Sequence, residues 1–402
     1  MSQDPDRVLY ISYDGLMEPL GQSQVLQYLK KLAKNYEIFL LTFEKKSDWS
    51  DVSKRETLIN DVCQSGIRWA PLRYHKRPSL LATSYDLAVG LFVSLFLVLK
   101  NKIRIIHARS YVPSVLGLIL KKILGTHFIF DMRGFWADER VDAGMWKRDS
   151  SLYKLAKWFE KHFLVSADVI VSLSEAGVDA MKAFPYLCNH PLHFEVIPTC
   201  ANFEFFYPRS IASEGKNKPF VLGYVGAVTG WYLFDPVLEC FKILLKIKPN
   251  ALLKVLNRGE HRYIQQRLVA HKVPTSSVNV LTVDYAEVAA EMRLMEAGIF
   301  FIRPAFSKKA SCPTKLGEFL GCGIPCLSNV EVGDTEKILN GESVGVILRE
   351  FCMPAQEEAV KRLVTLATDP AVKDRCVEVA LRYFSLYNGV RLYSRIYESL
   401  AD

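Results

Sequence analysis

At 402 residues the chain is longer than one hydrophobic core organises, and with 50% hydrophobic and 23% charged residues it is neither disordered nor fibrous, so two globular domains are expected. The formal net charge of +8 favours anionic partners such as phosphate-bearing substrates or acidic lipid, while its diffuse spread and the lack of any recognised module argue against nucleic acid. Nine cysteines, odd in number and without paired CxxC clusters, fit buried free thiols in a reducing compartment better than a disulfide scaffold or a zinc site.

Residues before the first strand carry no charged-then-apolar leader, so a cytoplasmic location is expected. VLYISY at 8–13 reads as a buried strand, followed by a glycine-containing loop and a helix over 22–35. Strands follow at 38–43 and 66–71. A helix over 80–99 contains an apolar run of thirteen residues, 87–99; about twenty would be needed to cross a bilayer. Arg73, Lys76 and Arg77 precede it and Lys100, Lys102 and Arg104 follow. Periodicity favours a buried helix with solvated ends, and the basic flanks fit one lying on an anionic membrane surface. Next come a strand at 103–108, a helix through Lys122, a strand at 127–132, a helix at 153–166 and a strand at 168–172.

The pattern breaks at EVIPTCANFEFFYP, 195–208, and the polar stretch 209–219 reads as a linker. Strands then return at 220–225, 251–256, 278–282, 297–302, 325–329 and 345–348. Helices are expected at 236–247, 261–270, 286–295, 314–321, 354–368, 372–384 and 390–401. Alternation of this kind predicts an α/β protein with two parallel sheets. The domains run 1–208 and 220–384, and a terminal helix within 385–402 is expected to return to the first domain.

Ligands of open parallel sheets gather at the carboxyl ends of strands. Five segments stand there. Gly21, Gln22 and Ser23 open the first helix, where glycine lets a ligand approach and free amides face anions. His107, Arg109, Ser110 and Tyr111 crowd one strand end. Asp131, Arg133 and their neighbours through Arg140 can form a carboxylate–guanidinium network that orients hydroxyls or phosphates. Gly226, Gly230 and Trp231 open the second domain, with backbone amides suited to a diphosphate. The strongest is 303–325, where Arg303 leads through SCPTKLGEFLGCGIP into a helix. There Ser311, Thr314 and Lys315 face an anion, and Glu318 lies one turn on, able to accept both hydroxyls of a ribose. The one Asp-x-Asp, Asp4-Pro5-Asp6, sits before the first strand, a poor place for a metal–diphosphate clamp.

These segments together resemble retaining GT-B glycosyltransferases of family four, of the bacterial cell-surface polysaccharide type. The resemblance implies two Rossmann-like domains facing a central cleft, with C-terminal helices packing back. It implies Glu318 as ribose binder, Lys315 as diphosphate contact, and the 226–230 backbone as donor lining, with Gly21, Gln22 and Ser23 near the donor. Lys315, Arg133, His107 and Asp131 are the catalytic candidates. Two departures stand out: Ala310 takes the place of the first of two glutamates, and Arg133 stands where a histidine is common. The basic pair after the second domain's first strand is absent, and Arg258, Arg303 or Lys315 would compensate.

The implied activity is transfer, with retention, of a sugar from a nucleotide-diphosphate donor to a lipid-linked or oligosaccharide acceptor, with the acceptor assigned to the first domain and the nucleotide sugar to the second. No cofactor or metal is expected, and an anionic membrane surface is a further candidate partner. A non-catalytic sugar-nucleotide-binding subunit and a sugar-nucleotide epimerase of the same fold are the alternatives.

Overall fold

The computed structural model describes residues 6–77, 79–188, 190–208 and 218–401. It divides into two compact units, Met1–Pro198 with Leu386–Asp402, and Thr199–Ser385.

The first unit is built on seven parallel strands: β1 Arg7–Ser12, β2 Glu37–Glu44, β3 Arg68–Arg73, β4 Ile105–Arg109, β5 His127–Asp131, β6 Val169–Ser172 and β7 Phe194–Val196. Their order is β3-β2-β1-β4-β5-β6-β7. β4 is buried at every residue, because helices cover both faces; that is why such strands read as unbroken apolar runs. Helices Ser79–Asn101, Tyr111–Leu124 and Ser151–Ser166 pack side by side, and right-handed crossovers taken in one direction put them on the same face. The last helix, Leu386–Ala401, packs on Gln27–Leu32 and β4.

The second unit carries six parallel strands: β8 Val221–Val225, β9 Leu252–Leu256, β10 Val278–Leu281, β11 Ala297–Ile299, β12 Cys326–Asn329 and β13 Gly345–Leu348. Their order is β10-β9-β8-β11-β12-β13. Each sheet starts in its middle, winds outward and restarts on the other side, which leaves a switch point between β1 and β4 and another between β8 and β11.

Two of the sequence expectations differ from the structure, and a third falls outside the described residues. The expected linker lies outside the described residues from 209 to 217. The stretch 199–208, expected in the first domain, belongs to the second unit. There Thr199 Oγ1 donates to the Cys312 carbonyl at 3.0 Å and Ala201 N to the Phe384 carbonyl at 2.8 Å. The helix expected at 80–99 runs from Ser79 to Asn101. By length and a mean hydropathy of 1.8 it could cross a membrane, and only 28% of its most apolar stretch is buried. Gly90 and Val98 seat one side of it against Phe43, Leu116 and the sheet, so it is a covering helix with its opposite side open rather than a buried one.

Candidate functional site

At the switch point of the second sheet, Lys315 sits on the first turn of the helix Thr314–Gly321. Its side chain is buried, and Nζ lies 3.9 Å from the ring centre of Tyr232, 5.1 Å from Tyr224 and 5.8 Å from Phe300. Among the described residues Nζ has no hydrogen-bond partner. Burial pushes its pKa down to about 7, against the opposing pull of Glu318. Glu318, also buried, is pushed up to about 7 by desolvation, with Lys315 opposing. The two share a helix face, but no ion pair joins them.

The loop after β8 meets this amine. Gly226 has φ +104, which favours glycine, and a Cβ there would stand 3.1 Å from Lys315 Nζ, so any larger residue would also crowd the amine. The loop is held from outside the segment that the sequence singled out. Glu260 accepts from Val228 N at 2.9 Å, from Thr229 Oγ1, and from Asn257 Nδ2 at 2.7 Å. Asn257 Nδ2 also reaches the Gly226 carbonyl at 3.0 Å. Asn257 and Glu260 were missed because nothing in their own segment distinguishes them from an ordinary turn into a helix.

Arg303 donates its backbone N–H to the Trp231 carbonyl at 2.8 Å, and its guanidinium lies 4.7 Å from the ring centre. Lys308 Nζ lies 3.8 Å from the same centre and is buried, a cation–π geometry. Lys308 is a further residue the sequence did not single out. Ser311 and Thr314, both half-buried, lead into the Lys315 helix. Gly230 takes φ +70 in the turn before Trp231. Arg258 is not part of this group: it is exposed and bound to the Val283 carbonyl and to Asp284 at 2.9 Å.

In the first unit the expected helix start at Gln22 is displaced. The helix begins at Pro19, so Gln22 N donates to the Glu18 carbonyl at 3.0 Å and Ser23 Oγ to the Pro19 carbonyl at 2.9 Å. The Gln22 backbone N–H and the Ser23 hydroxyl are thus engaged within the helix. The open amides lie earlier, and buried Glu44 takes them: Leu16 N at 2.8 Å and Met17 N at 3.2 Å. Gly21 is a packing glycine, since a Cβ there would stand 2.1 Å from the Gly15 carbonyl oxygen. Gly21→Ala is therefore expected to lose about 1–3 kcal/mol of stability, as overpacked sites do, while nucleotide affinity of the folded protein stays unchanged. Thermal melts with a nucleotide titration check this; lost affinity at unchanged stability would return Gly21 to the ligand.

His107 lies inside β4 and is fully buried. Its Nδ1 is 2.7 Å from Tyr397 Oη and its Nε2 3.5 Å from Asp131 Oδ2. Burial lowers its pKa, only partly offset by Asp131, which favours the neutral ring. Asp131, likewise buried, accepts from Tyr393 Oη at 3.1 Å. Desolvation works to raise its pKa, but Arg133, His107 and Arg109 outweigh it and hold the carboxyl at about 2. Both side chains, expected as catalytic, are closed under the last helix and serve to seat it. Arg133, with φ +60 and a nearly buried side chain, is fixed as a cation by Asp131, which outweighs its desolvation.

No protein-family model matches this chain, and no curated protein matches it significantly. Solved structures do. Sucrose-phosphate synthase from Thermosynechococcus elongatus is similar with a TM-score of 0.71 at 13% identity, over 98% of this chain and 99% of its own. A glycosyltransferase from Rickettsia africae ESF-5 gives 0.72 at 12% identity, over the whole of both chains (100% and 100%). HepE of Anabaena, solved in complex with UDP and glucose, gives 0.66 at 13% identity over 98% and 99%. With its two switch-point sheets, this chain has the GT-B fold of two Rossmann-like domains.

Proposed function

We propose that the chain is a retaining, metal-independent glycosyltransferase that moves a sugar from a nucleotide-diphosphate donor to a lipid-linked glycan acceptor. The observation that carries this is the buried, unpartnered Lys315 amine beside the Gly226 backbone, with Glu318 one turn away. A diphosphate would supply the missing partner and restore the amine's charge. Glu318 would grip the ribose hydroxyls and Trp231 would flank the nucleotide. HepE, which shares the fold, was solved with UDP, so UDP is the apt first probe.

In a retaining transfer the bond from the sugar's anomeric carbon to the diphosphate oxygen breaks, and the acceptor hydroxyl forms the new bond on the same face. Its proton passes to the departing phosphate, and Lys315 and nearby amides stabilise that charge. No protein nucleophile is required. Purified protein incubated with UDP-sugars and a prenyl-diphosphate glycan, in chelator, is expected to yield a product with the donor's anomeric configuration. Inversion, or turnover only on adding a divalent ion, would refute this.

A cytoplasmic-side, peripheral membrane location completes the proposal. The open side of Ser79–Asn101 shows Leu81, Tyr85, Phe92, Phe96 and Leu99, and Ser151–Ser166 shows Leu152, Leu155 and Trp158. Lys100, Lys122, Lys154 and Lys161 are exposed on these helices and on the one between them. The only carboxylates of the three helices, Asp86 and Glu160, are buried and hydrogen-bonded inward. Apolar side chains among lysines, with no exposed acid, complement an anionic bilayer.

A further inference from the structure

The carboxyl end of the first sheet holds charge that donor binding does not use. Arg109 and Asp131 close the adjacent strands β4 and β5 in register, and Arg133 follows two residues later. Arg109 is only 5% exposed, and its Nε has no hydrogen-bond partner. That Nε lies 3.9 Å from Asp14, and a terminal nitrogen of the same guanidinium lies 3.9 Å from Asp131 Oδ2. Arg133 stands 3.9 Å from the other oxygen, Oδ1, which is itself without a hydrogen-bond partner. At that separation charges attract but donors and acceptors do not meet. Asp131 is thus the one fully buried carboxylate between two guanidinium groups, since Asp14 is 52% exposed and sits largely in water.

A buried guanidinium with an idle donor is unfavourable unless an anion completes it, and its planar fork matches a phosphoryl group. The backbone agrees. Ser110 and Arg133, just past the ends of neighbouring strands, hold φ of 69° and 60°, a left-handed conformation uncommon for residues with side chains. Ser110 also begins the 14-residue helix Tyr111–Leu124, whose amino end adds positive partial charge at this edge.

Resting on the assignment of the acceptor to the first unit, we propose that Arg109 and Arg133 form a subsite for a phosphoryl group carried by the acceptor. Asp131, fastened by Tyr393, is the positioning residue that sets the two forks. A sugar phosphate and a lipid diphosphate present the same chemistry to them.

The full-length protein is saturated with UDP, to occupy the Lys315 site, and inorganic phosphate is titrated against potassium chloride of equal ionic strength. A saturable rise in melting temperature beyond that given by chloride is expected in the wild type. It should disappear in Arg109→Lys and Arg133→Lys, which keep the charge and lose the fork, while both bind UDP as before. Displacement of phosphate by a hexose phosphate or by a short-chain prenyl diphosphate identifies the source, and either supports the subsite. A wild type with no saturable phosphate effect, or an effect that persists in both variants, overturns it. Should the buried Arg109 variant not fold, Arg133→Lys carries the test. A protein that ignores UDP but still shows the arginine-dependent phosphate effect would refute the donor site and leave this one standing.

Discussion

Lys315→Met is expected to abolish sugar transfer and to leave the unliganded protein at least as stable as the wild type. Methionine fills similar space, and the ring contacts with Tyr224, Tyr232 and Phe300 accept a thioether. Removing an unpartnered buried amine relieves a desolvation penalty of about 1–3 kcal/mol, so the melting temperature should hold or rise. The same change deletes the cation for the leaving group, at a cost of roughly 100-fold or more in turnover. UDP affinity should fall as well. Its pH dependence in the wild type carries the sign of each group. Lys315, at about 7 when free, must gain a proton to meet the diphosphate, so affinity falls as pH rises above 7. Glu318, also at about 7, must lose one to grip the ribose as a carboxylate, so affinity falls as pH drops below 7. Calorimetric titration from pH 6 to 8.5 reads both limbs. A flat profile, or a Lys315→Met protein that melts lower and still binds UDP, would remove the amine from the donor site.

Paired Phe92→Glu and Trp158→Glu substitutions are expected to release the protein from anionic vesicles without unfolding it. Phe92 is 75% and Trp158 52% exposed, so neither supports the core. Burying each ring in a bilayer is worth about 1.5–3 kcal/mol, and two together shift partitioning by roughly 100-fold or more before the new charges are counted. Sedimentation with vesicles rich in phosphatidylglycerol should pellet the wild type at low salt, release part of it as salt screens the lysines, and leave the variant in solution. A wild type that stays in solution at low salt would exclude the bilayer as the occupant of this face.

Much of the fold was legible because fully covered parallel strands are written as apolar runs, as VLYIS and FIFD are. The helix Val52–Gln64 was not, since only Leu58 and Val62 of its thirteen residues face the core and its signal is Asp51 capping Lys54 N. The grouping of Lys315, Glu318 and Gly226 could be read because each stands in a segment that follows a strand end, where position and local chemistry coincide. Glu44 could not be read, since its role arises from the Leu16 and Met17 amides of another loop. Lys308 likewise depends on the ring of Trp231. His107 was misread for the same reason at greater range: the hydroxyl that closes over it belongs to Tyr397, 290 residues away.

That distance shapes how the molecule comes into being. The hydroxyls that bond Asp131 Oδ2 and His107 Nδ1 lie 262 and 290 residues downstream, so the first unit leaves the ribosome with that carboxylate still uncovered. Late arrival of Leu386–Ala401 makes completion of that unit wait for translation of the other. A nascent chain cut short before its final turns would be marked by an open polar seam, a defect on which proteolysis can act.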